Sequence, residues 1–399
     1  MRSVVRVVVA VLSAALLAAC GARPQVVSEW AEPQMATPQQ YRIADSSPRG
    51  AALMQAAREW VETGSVPGEG TKWESMSRWA LIDLHQALGG MSVGHAPAAG
   101  AAERWNYFWP RDGAFLVVAL DRTGHQAEAQ HLIDFMAKLP FDPTAGFDAR
   151  YLVSGKRVTV DPRGPQSDGC GWVLWALGSV SDASMPKSAN GLRTQCLANI
   201  LKLTWSGWLL PPASPDYWEI SVEETSLGTV APMLAGLRAT ADHSPVDAER
   251  RSAGQAATHL EAQVSSSMGP SLERFGDHGG LDAAIAMMMP PFGPGDRRTT
   301  KAWMDYQRLA VRSSGGLAPG VEWKQDGTSW TPESALVAYT AAASGRKEVA
   351  AHWLDWLDDN RTPWGSLPEK VNRSGQPAGP APLLWTAALV LLTLDSLES

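Results

Sequence analysis

The stretch "WPRDGAFLVVALDRTGHQAEAQHLIDFMAKL", residues 109–139, decides the fold. Pro110 has no N–H to leave unpaired at a first helical position, and Asp112 sets negative charge at the positive end of the dipole, so the switch from polar to apolar sequence reads as a helix start. Gly124, in "DRTG", reads as the residue that ends that helix in a left-handed turn, after which "HQAEAQHLIDFMAKL" resumes helical spacing. The same pattern repeats along the chain. "SPRGAALMQAAREWVETG" and "KWESMSRWALIDLHQALGG" each carry apolar residues at helical spacing and a glycine stop, and "DGCGWVLWALGSV", "LRTQCLANILKLTW", "SLGTVAPMLAGLRATA" and "VDAERRSAGQAATHLEAQVSSSM" continue the series. Leu227, Val230, Leu234 and Leu237 form one stripe in a helix expected at 225–241. Thr331 and Pro332 cap "ESALVAYTAAASG", "RKEVAAHWLDWLDD" returns as the second arm of an αα-hairpin, and "APLLWTAALVLLTLDSLES" closes the chain.

These segments amount to about a dozen helices with almost no alternating strand pattern, which predicts one all-α domain over residues 46–399. Short glycine turns alternate with long loops rich in Pro, Trp and charge, so the chemistry is expected on the long-loop face. The first twenty residues are of another kind. Arg2 and Arg6 precede a charge-free apolar run ending in "LLAAC", the pattern of a secretory signal. Leu17 to Gly21 resembles the lipobox of bacterial lipoproteins, which implies cleavage before Cys20, lipidation of that cysteine, and anchoring to the outer face of the bacterial cell membrane through lipid alone. Residues 21–45, rich in Pro, Gln and Ala, read as a flexible tether. Outside the cytoplasm Cys170 and Cys196 are free to form a disulfide, stabilising by about 3 kcal/mol, and two buried thiols fit equally well.

The net charge of −7, with no basic run, gives no support to nucleic acid as a partner, and no protein partner is indicated. There is no HExxH, CxxC, P-loop, GxGxxG after a strand or GxSxG, so no metal site and no cofactor are expected. What stands out is 18 Trp against 6 Tyr and 7 Phe. Most of these rings are expected between helices, and some are suited to stacking on the apolar faces of sugars. Carboxylates accompany them in four long loops: "WPRDG", "PRGPQSDGCGW", "PPASPDYWEISVEETS" and "TPWGSLPEKVNRSGQP". Two carboxyl groups facing each other across a cleft are what cleavage of a glycosidic bond requires, one protonated and one ionised. The acid needs burial or a neighbouring charge to lift it from its ordinary value of about 4.3. Glu219, beside Trp218 in "DYWE", fits that need, whereas Glu223 and Glu224 also fit an ordinary role charging the first turn of the next helix.

In order along the chain, "YFWPRDGAF", "GPQSDG", "DYWE" followed by "LGTVAPMLAGL", and "LPEKVNRSGQPAGPAPLLWTAALVLLTL" resemble glycoside hydrolase family 15, the glucoamylase-like enzymes. The resemblance implies an (α/α)6 barrel and an exo-acting, inverting hydrolase of terminal α-linked glucose. It makes Glu219 the general acid and Glu369 the general base. Trp109, Arg111 and Asp112 become the grip on the terminal sugar, with Gln166, Asp168 and Trp218 lining the same pocket. For Asp168 an N-cap on the helix starting near Cys170 is an equally good reading. Inversion implies roughly 6.5–9.5 Å between the two carboxyl groups. The chain departs from the family's pattern at Ile220, where a second acid is usual, which leaves Glu223 and Glu224 open as the acid. It departs again at Pro368 and Lys370, which flank the base. Those departures keep a second expectation in play: a sugar-binding lipoprotein with the same cup and weakened turnover. An exported helical scaffold with no pocket is a third, and it expects Trp109, Trp218 and Trp364 to be buried.

Overall fold

The structure, a computed structural model, describes residues 48–88, 106–159, 161 and 163–399. The expected signal, Cys20 and the tether lie outside these residues. Twelve α-helices occur among them: α1 Pro48–Val61, α2 Glu74–Ala87, α3 Pro110–Arg122, α4 Gln126–Ala137, α5 Asp168–Ser179, α6 Ser188–Leu203, α7 Leu227–His243, α8 Asp247–Ser267, α9 Arg297–Leu309, α10 Thr331–Ala343, α11 Lys347–Asp359 and α12 Leu384–Glu398. A short 3-10 turn spans Asp182–Ser184, and the longer 3-10 helix of the barrel spans Ala283–Met288. Two small antiparallel sheets complete the list, β1 (Tyr107–Phe108) with β2 (Tyr151–Leu152), and β3 (Ser329–Trp330), β4 (Lys370–Val371) and β5 (Pro377–Ala378) in that order.

Burial separates the helices into two rings. Helices α3, α5, α7, α10 and α12 are buried on nearly every face over most of their length, as is the 3-10 helix. Helices α4, α6, α8, α9 and α11 bury one stripe only. A helix apolar all round belongs inside, and one apolar on a stripe belongs outside. Packing follows that division: α3 touches α5, α5 touches α7, α7 touches the 3-10 helix, that helix touches α10, α10 touches α12, and α12 closes back on α3. Each inner element is followed in the chain by its outer partner, except α12, which is backed by α2 from the start of the domain. The fold is an (α/α)6 barrel in a single domain. Its fourth inner position is reduced to six residues of 3-10 helix, followed after Met289 by Pro290 and Pro291, which cannot extend it.

The tightest seam is between α5 and α7. A Cβ on Gly171 would sit 2.4 Å from the Pro232 carbonyl, and one on Gly236 would sit 2.5 Å from the Gly171 carbonyl oxygen, so only glycine permits this approach. The barrel interior is filled by aromatic rings. Phe115 lies 4.8 Å from Trp172, 4.9 Å from Trp175 and 5.7 Å from Trp385, and Phe292 joins them from below. Much of the tryptophan surplus is therefore structural.

Three local expectations change. Helix α7 begins two residues later than expected, with Ser226 in extended backbone ahead of it. Trp330 is the N-cap of α10, so Thr331 and Pro332 occupy its first two helical positions. Helix α5 begins at Asp168 itself, Ser167 precedes it, and no side chain caps it, which overturns the N-cap reading of Asp168. Cys170 and Cys196 are free cysteines, both buried, with their sulfurs 2.6 Å apart.

Candidate active site

Because each inner element but the last is returned by an outer helix before the next begins, the inner elements run parallel and present their N-termini at one end. The long loops lie there too. The polar centre of that end is Arg111, the second residue of α3, buried at 6% exposure. Its Nη1 donates to Gln166 Oε1 and Asp168 Oδ2, both at 3.3 Å, its Nη2 donates to Glu219 Oε1 at 3.2 Å, and its Nε lies 3.4 Å from Asp112 Oδ2. Burial works against the guanidinium's charge, but Asp112, Asp168 and Glu219 together hold it above its ordinary value. Burial pushes Asp112 and Asp168 up to about 6, with Arg111 pulling each back. Beneath Arg111, 5.3 Å from its guanidinium carbon, is the ring of Trp385, the upper edge of the aromatic plug. Five of the residues expected in the site, Arg111, Asp112, Gln166, Asp168 and Glu219, are thus brought together from three loops.

Glu219 ends a turn that is built to hold it. The Trp218 N–H donates to Asp216 Oδ1 at 3.0 Å and the Glu219 N–H to the Asp216 carbonyl at 2.8 Å, and Glu219 itself sits at φ 58°. A left-handed conformation is uncommon for any residue but glycine and costs about 1–2 kcal/mol, so the surroundings must enforce it. They do so through Arg274, 1% exposed, whose Nη2 reaches both Asp216 carboxylate oxygens at 2.7 and 2.8 Å and whose Nη1 reaches Asp282 Oδ2 at 2.7 Å. The same guanidinium lies 3.7 Å from the Trp218 ring centre, and Trp323 packs edge-on against that ring at 4.6 Å. Gln166 Nε2 also donates to Glu219 Oε1 at 2.9 Å, and Arg163 Nε forms an ion pair with Glu219 Oε2 at 2.8 Å. Arg163 is tied through Asp161 to Arg150, which lies over the rings of Tyr107 and Trp109. Glu223 and Glu224 point elsewhere. Both are exposed, and Glu224 pairs with His278 at 3.3 Å on the surface, so neither stands in for Glu219.

Glu369 arrives from the opposite side. In the order α3, α5, α7, 3-10, α10, α12, the Glu219 loop feeds the third position and the Glu369 loop the sixth. Glu369 is 5% exposed and its Oε2 lies 2.9 Å from Lys370 Nζ. Burial raises its proton affinity, and Lys370 offsets part of that. The pairing with Lys370 is present, as for an ordinary loop glutamate, yet the residue is not on the surface. Gly379, at φ 72°, closes over it: a Cβ there would come within 2.5 Å of Glu369 Oε2. The Glu369 loop is pinned from behind by Ser366, which donates to Asp83 Oδ1 at 3.0 Å. Burial holds that aspartate up at about 8.

Trp109 and Trp364 are buried, as a pocketless scaffold expects, whereas Trp218 is only half-buried. The polar cluster around Arg111 is not what a scaffold expects. Among the described residues no group of side chains is arranged to hold a metal, and no helix is long and apolar enough to cross a membrane. Arg163, Arg274 and Asp282 carry no signal in their immediate sequence that singles them out, and only the structure reveals them.

The ring of helix pairs, with its long loops and buried polar cluster at one end, is an architecture shared with glycosidases and glucoamylases of solved structure. Among these are a glycosidase variant in complex with glucose, 19% identical over 81% of this chain and 97% of that one with a TM-score of 0.68, and the glucoamylase of Saccharomycopsis fibuligera, 15% identical over 80% and 93% with a TM-score of 0.62. A bacterial glucoamylase complexed with acarbose is 14% identical over 85% of this chain and 57% of its own, with a TM-score of 0.66. At these identities the likeness is one of fold. No protein-family model and no curated protein matches the sequence.

Proposed function

We propose that this chain is an exo-acting, inverting glycoside hydrolase that releases terminal α-linked glucose from an oligosaccharide or related glycoconjugate. The observation that carries the reading is the entry of Glu219 and Glu369 from opposite positions of one helical ring, above a floor organised by Arg111. Glu219 donates a proton to the leaving oxygen, and Glu369 takes a proton from the water that attacks the anomeric carbon from the other face. To do this Glu219 exchanges one of its partners for the glycosidic oxygen, and Arg163, a quarter exposed, is the one an incoming sugar can replace. Arg111, Asp112, Gln166 and Asp168 offer a fixed donor fork beside carboxylates, suited to neighbouring hydroxyls of the terminal sugar, with Trp109 and Trp218 at its sides. Exo action is supported by the aromatic plug: Phe115, Trp172 and Trp385 fill the barrel below the floor, so a sugar chain enters end-on and cannot pass through. The glucose and acarbose named with two structural relatives favour the α-glucoside class.

A screen of di- and oligosaccharides with the anomer of the first product read by NMR tests the reading. Release of β-glucose from an α-linked substrate is the expected result. Initial α-glucose rejects inversion, and release of no monosaccharide from a panel that still binds favours the sugar-binding lipoprotein, which the exposed Ile220 in the second acid's place supports. Export is part of the same proposal: Cys20 carries lipid and residues 21–45 tether the domain to the outer face of the membrane. Palmitate labelling that survives Cys20→Ser would refute it.

A further inference from the structure

Glu333 has no part in the reaction just described, yet it lies at the centre of the site's acidic side. It is the third residue of α10, 2% exposed. The β3–β4 pairing sets Trp330 opposite Lys370, and the Thr331 N–H donates to the Glu369 carbonyl at 3.0 Å, so the start of α10 and the residue proposed as base are locked side by side. Helical side chains lean back toward the N-terminus, which sends Glu333 over that junction. Among the described residues its Oε2 is buried and has no hydrogen-bond partner. A buried oxygen left unpaired is costly and calls for a reason.

The charges facing Glu333 come from every side of the site. Glu369, itself paired with Lys370, and Asp282 at the cap of the 3-10 helix both disfavour its ionisation. Arg111 on α3 favours it, and the buried Tyr306 hydroxyl group of α9 lies within reach of its charge. Burial is the largest influence, and together these push Glu333 up to about 8. A carboxyl in that state is a donor at neutral pH, beside one that must accept.

We propose that Glu333 is a further catalytic residue that holds the attacking water by donating its Oε2–H to it while Glu369 accepts from the same water. The inference rests on Glu369 being the base. The water then has one lone pair fixed and the other free for the anomeric carbon. As the new C–O bond forms, its proton passes to Glu369, the glycosidic C–O bond breaks with the proton of Glu219, and Glu333 keeps its own proton throughout.

Two variants test this on the full chain. Glu333→Gln retains an N–H donor and is expected within about tenfold of wild-type kcat. Glu333→Leu removes the donor and is expected to lose at least about a hundredfold in kcat with KM within about threefold. A structural residue predicts instead that both variants lower Tm. Here Tm is expected unchanged or higher, because the unpaired buried oxygen is gone in Glu333→Leu. The substrate-free readout is the Tm of Glu333→Gln minus that of wild type. It should widen as pH rises from 5 to 8, since the folded wild type holds a proton there that the unfolded chain releases. Equal losses in both variants, full activity in Glu333→Leu, or a Tm difference that does not change with pH overturns the inference and leaves the hydrolase reading standing. A wild type that releases no sugar overturns that reading first, and this one with it.

Discussion

Replacing Arg274 by Met removes the one cation that two buried carboxylates, Asp216 and Asp282, share. Breaking a buried ion pair by deleting one partner costs about 3–5 kcal/mol, chiefly because the remaining charge is left uncompensated. A domain of this length unfolds with roughly 0.7 kcal/mol of entropy per kelvin, so the loss in Tm should be about 4–7 °C. The effect on chemistry should be larger than the effect on stability. Asp216 holds the turn that keeps Glu219 at φ 58°, and Arg274 also supports the Trp218 ring, so without it the acid relaxes out of its conformation. A misplacement of about 1 Å is worth roughly a hundredfold in rate, and that is the expected fall in kcat/KM. Scanning calorimetry and initial rates on a cleaved disaccharide measure the two quantities. The decisive control neutralises all three groups in Arg274→Met, Asp216→Asn, Asp282→Asn. With no unpaired charge left, at least half of the lost Tm should return while activity stays low. A single variant within about 1 °C of wild type, or a triple variant no more stable than the single one, would refute the account of how the turn is held.

Other expectations follow from the same contacts. Glu369→Gln should lower kcat at least about a hundredfold while sugar binding, read by tryptophan fluorescence, is retained; near-normal turnover rejects it as base. Arg111→Lys should weaken both KM and kcat, because an ammonium cannot meet Gln166, Asp168 and Glu219 with one planar fork; an effect on KM alone would remove its role in the transition state. Gly379→Ala forces a left-handed alanine and a Cβ against Glu369 Oε2, so kcat should fall at least about tenfold for a stability loss of about 1–2 kcal/mol, and unchanged kcat would mean that Glu369 is not held there. Finally, Asp112, Asp168 and Asp282 are each held up near 6, and Asp83 and Glu333 near 8, above their unfolded values. Stability from such groups is fully present below the unfolded pKa and is lost as pH rises through the folded one, so Tm should fall between pH 5 and pH 8. A Tm that rises over that window contradicts the buried acids.

The helix pairs were legible in the sequence because most carry an apolar face at helical spacing, and α3 and α10 add a proline-led start and a left-handed glycine, Gly124 and Gly345, just past their ends. The fourth inner position was not. "LDAAIAMMMPP" is too short and too soon stopped by proline to show a helical period, and it earns its place in the ring only by burial against α7 and α10. In the site, Arg111, Asp112, Gln166 and Asp168 could be read because they sit in conspicuous loop-to-helix junctions. Arg163, Arg274 and Asp282 could not, since each is defined by a partner in another segment. Glu333 does carry a signal: Trp330-Thr-Pro-Glu repeats at α10 the aromatic cap, early proline and third-position acid of Trp109-Pro-Arg-Asp at α3.

That repetition explains how one end of the barrel tolerates so many buried acids. Asp168 opens α5, Asp112 and Glu333 sit in the first turns of α3 and α10, and Asp282 caps the 3-10 helix with its side chain accepting from the Ala284 N–H. Parallel inner helices aim their positive ends at a common floor, and each end favours negative charge close to it. The aromatic plug beneath excludes water and strengthens every one of these interactions. The fold therefore sets helix ends that favour negative charge above a dry floor that opposes it, and burial prevails, so that these carboxyl groups are raised above their ordinary values. Which of them are acid, base or grip is then decided by the loops. A substitution in an inner-helix first turn should accordingly alter the proton affinity of its neighbours across the floor, whereas an equal change on the outer ring should alter stability alone.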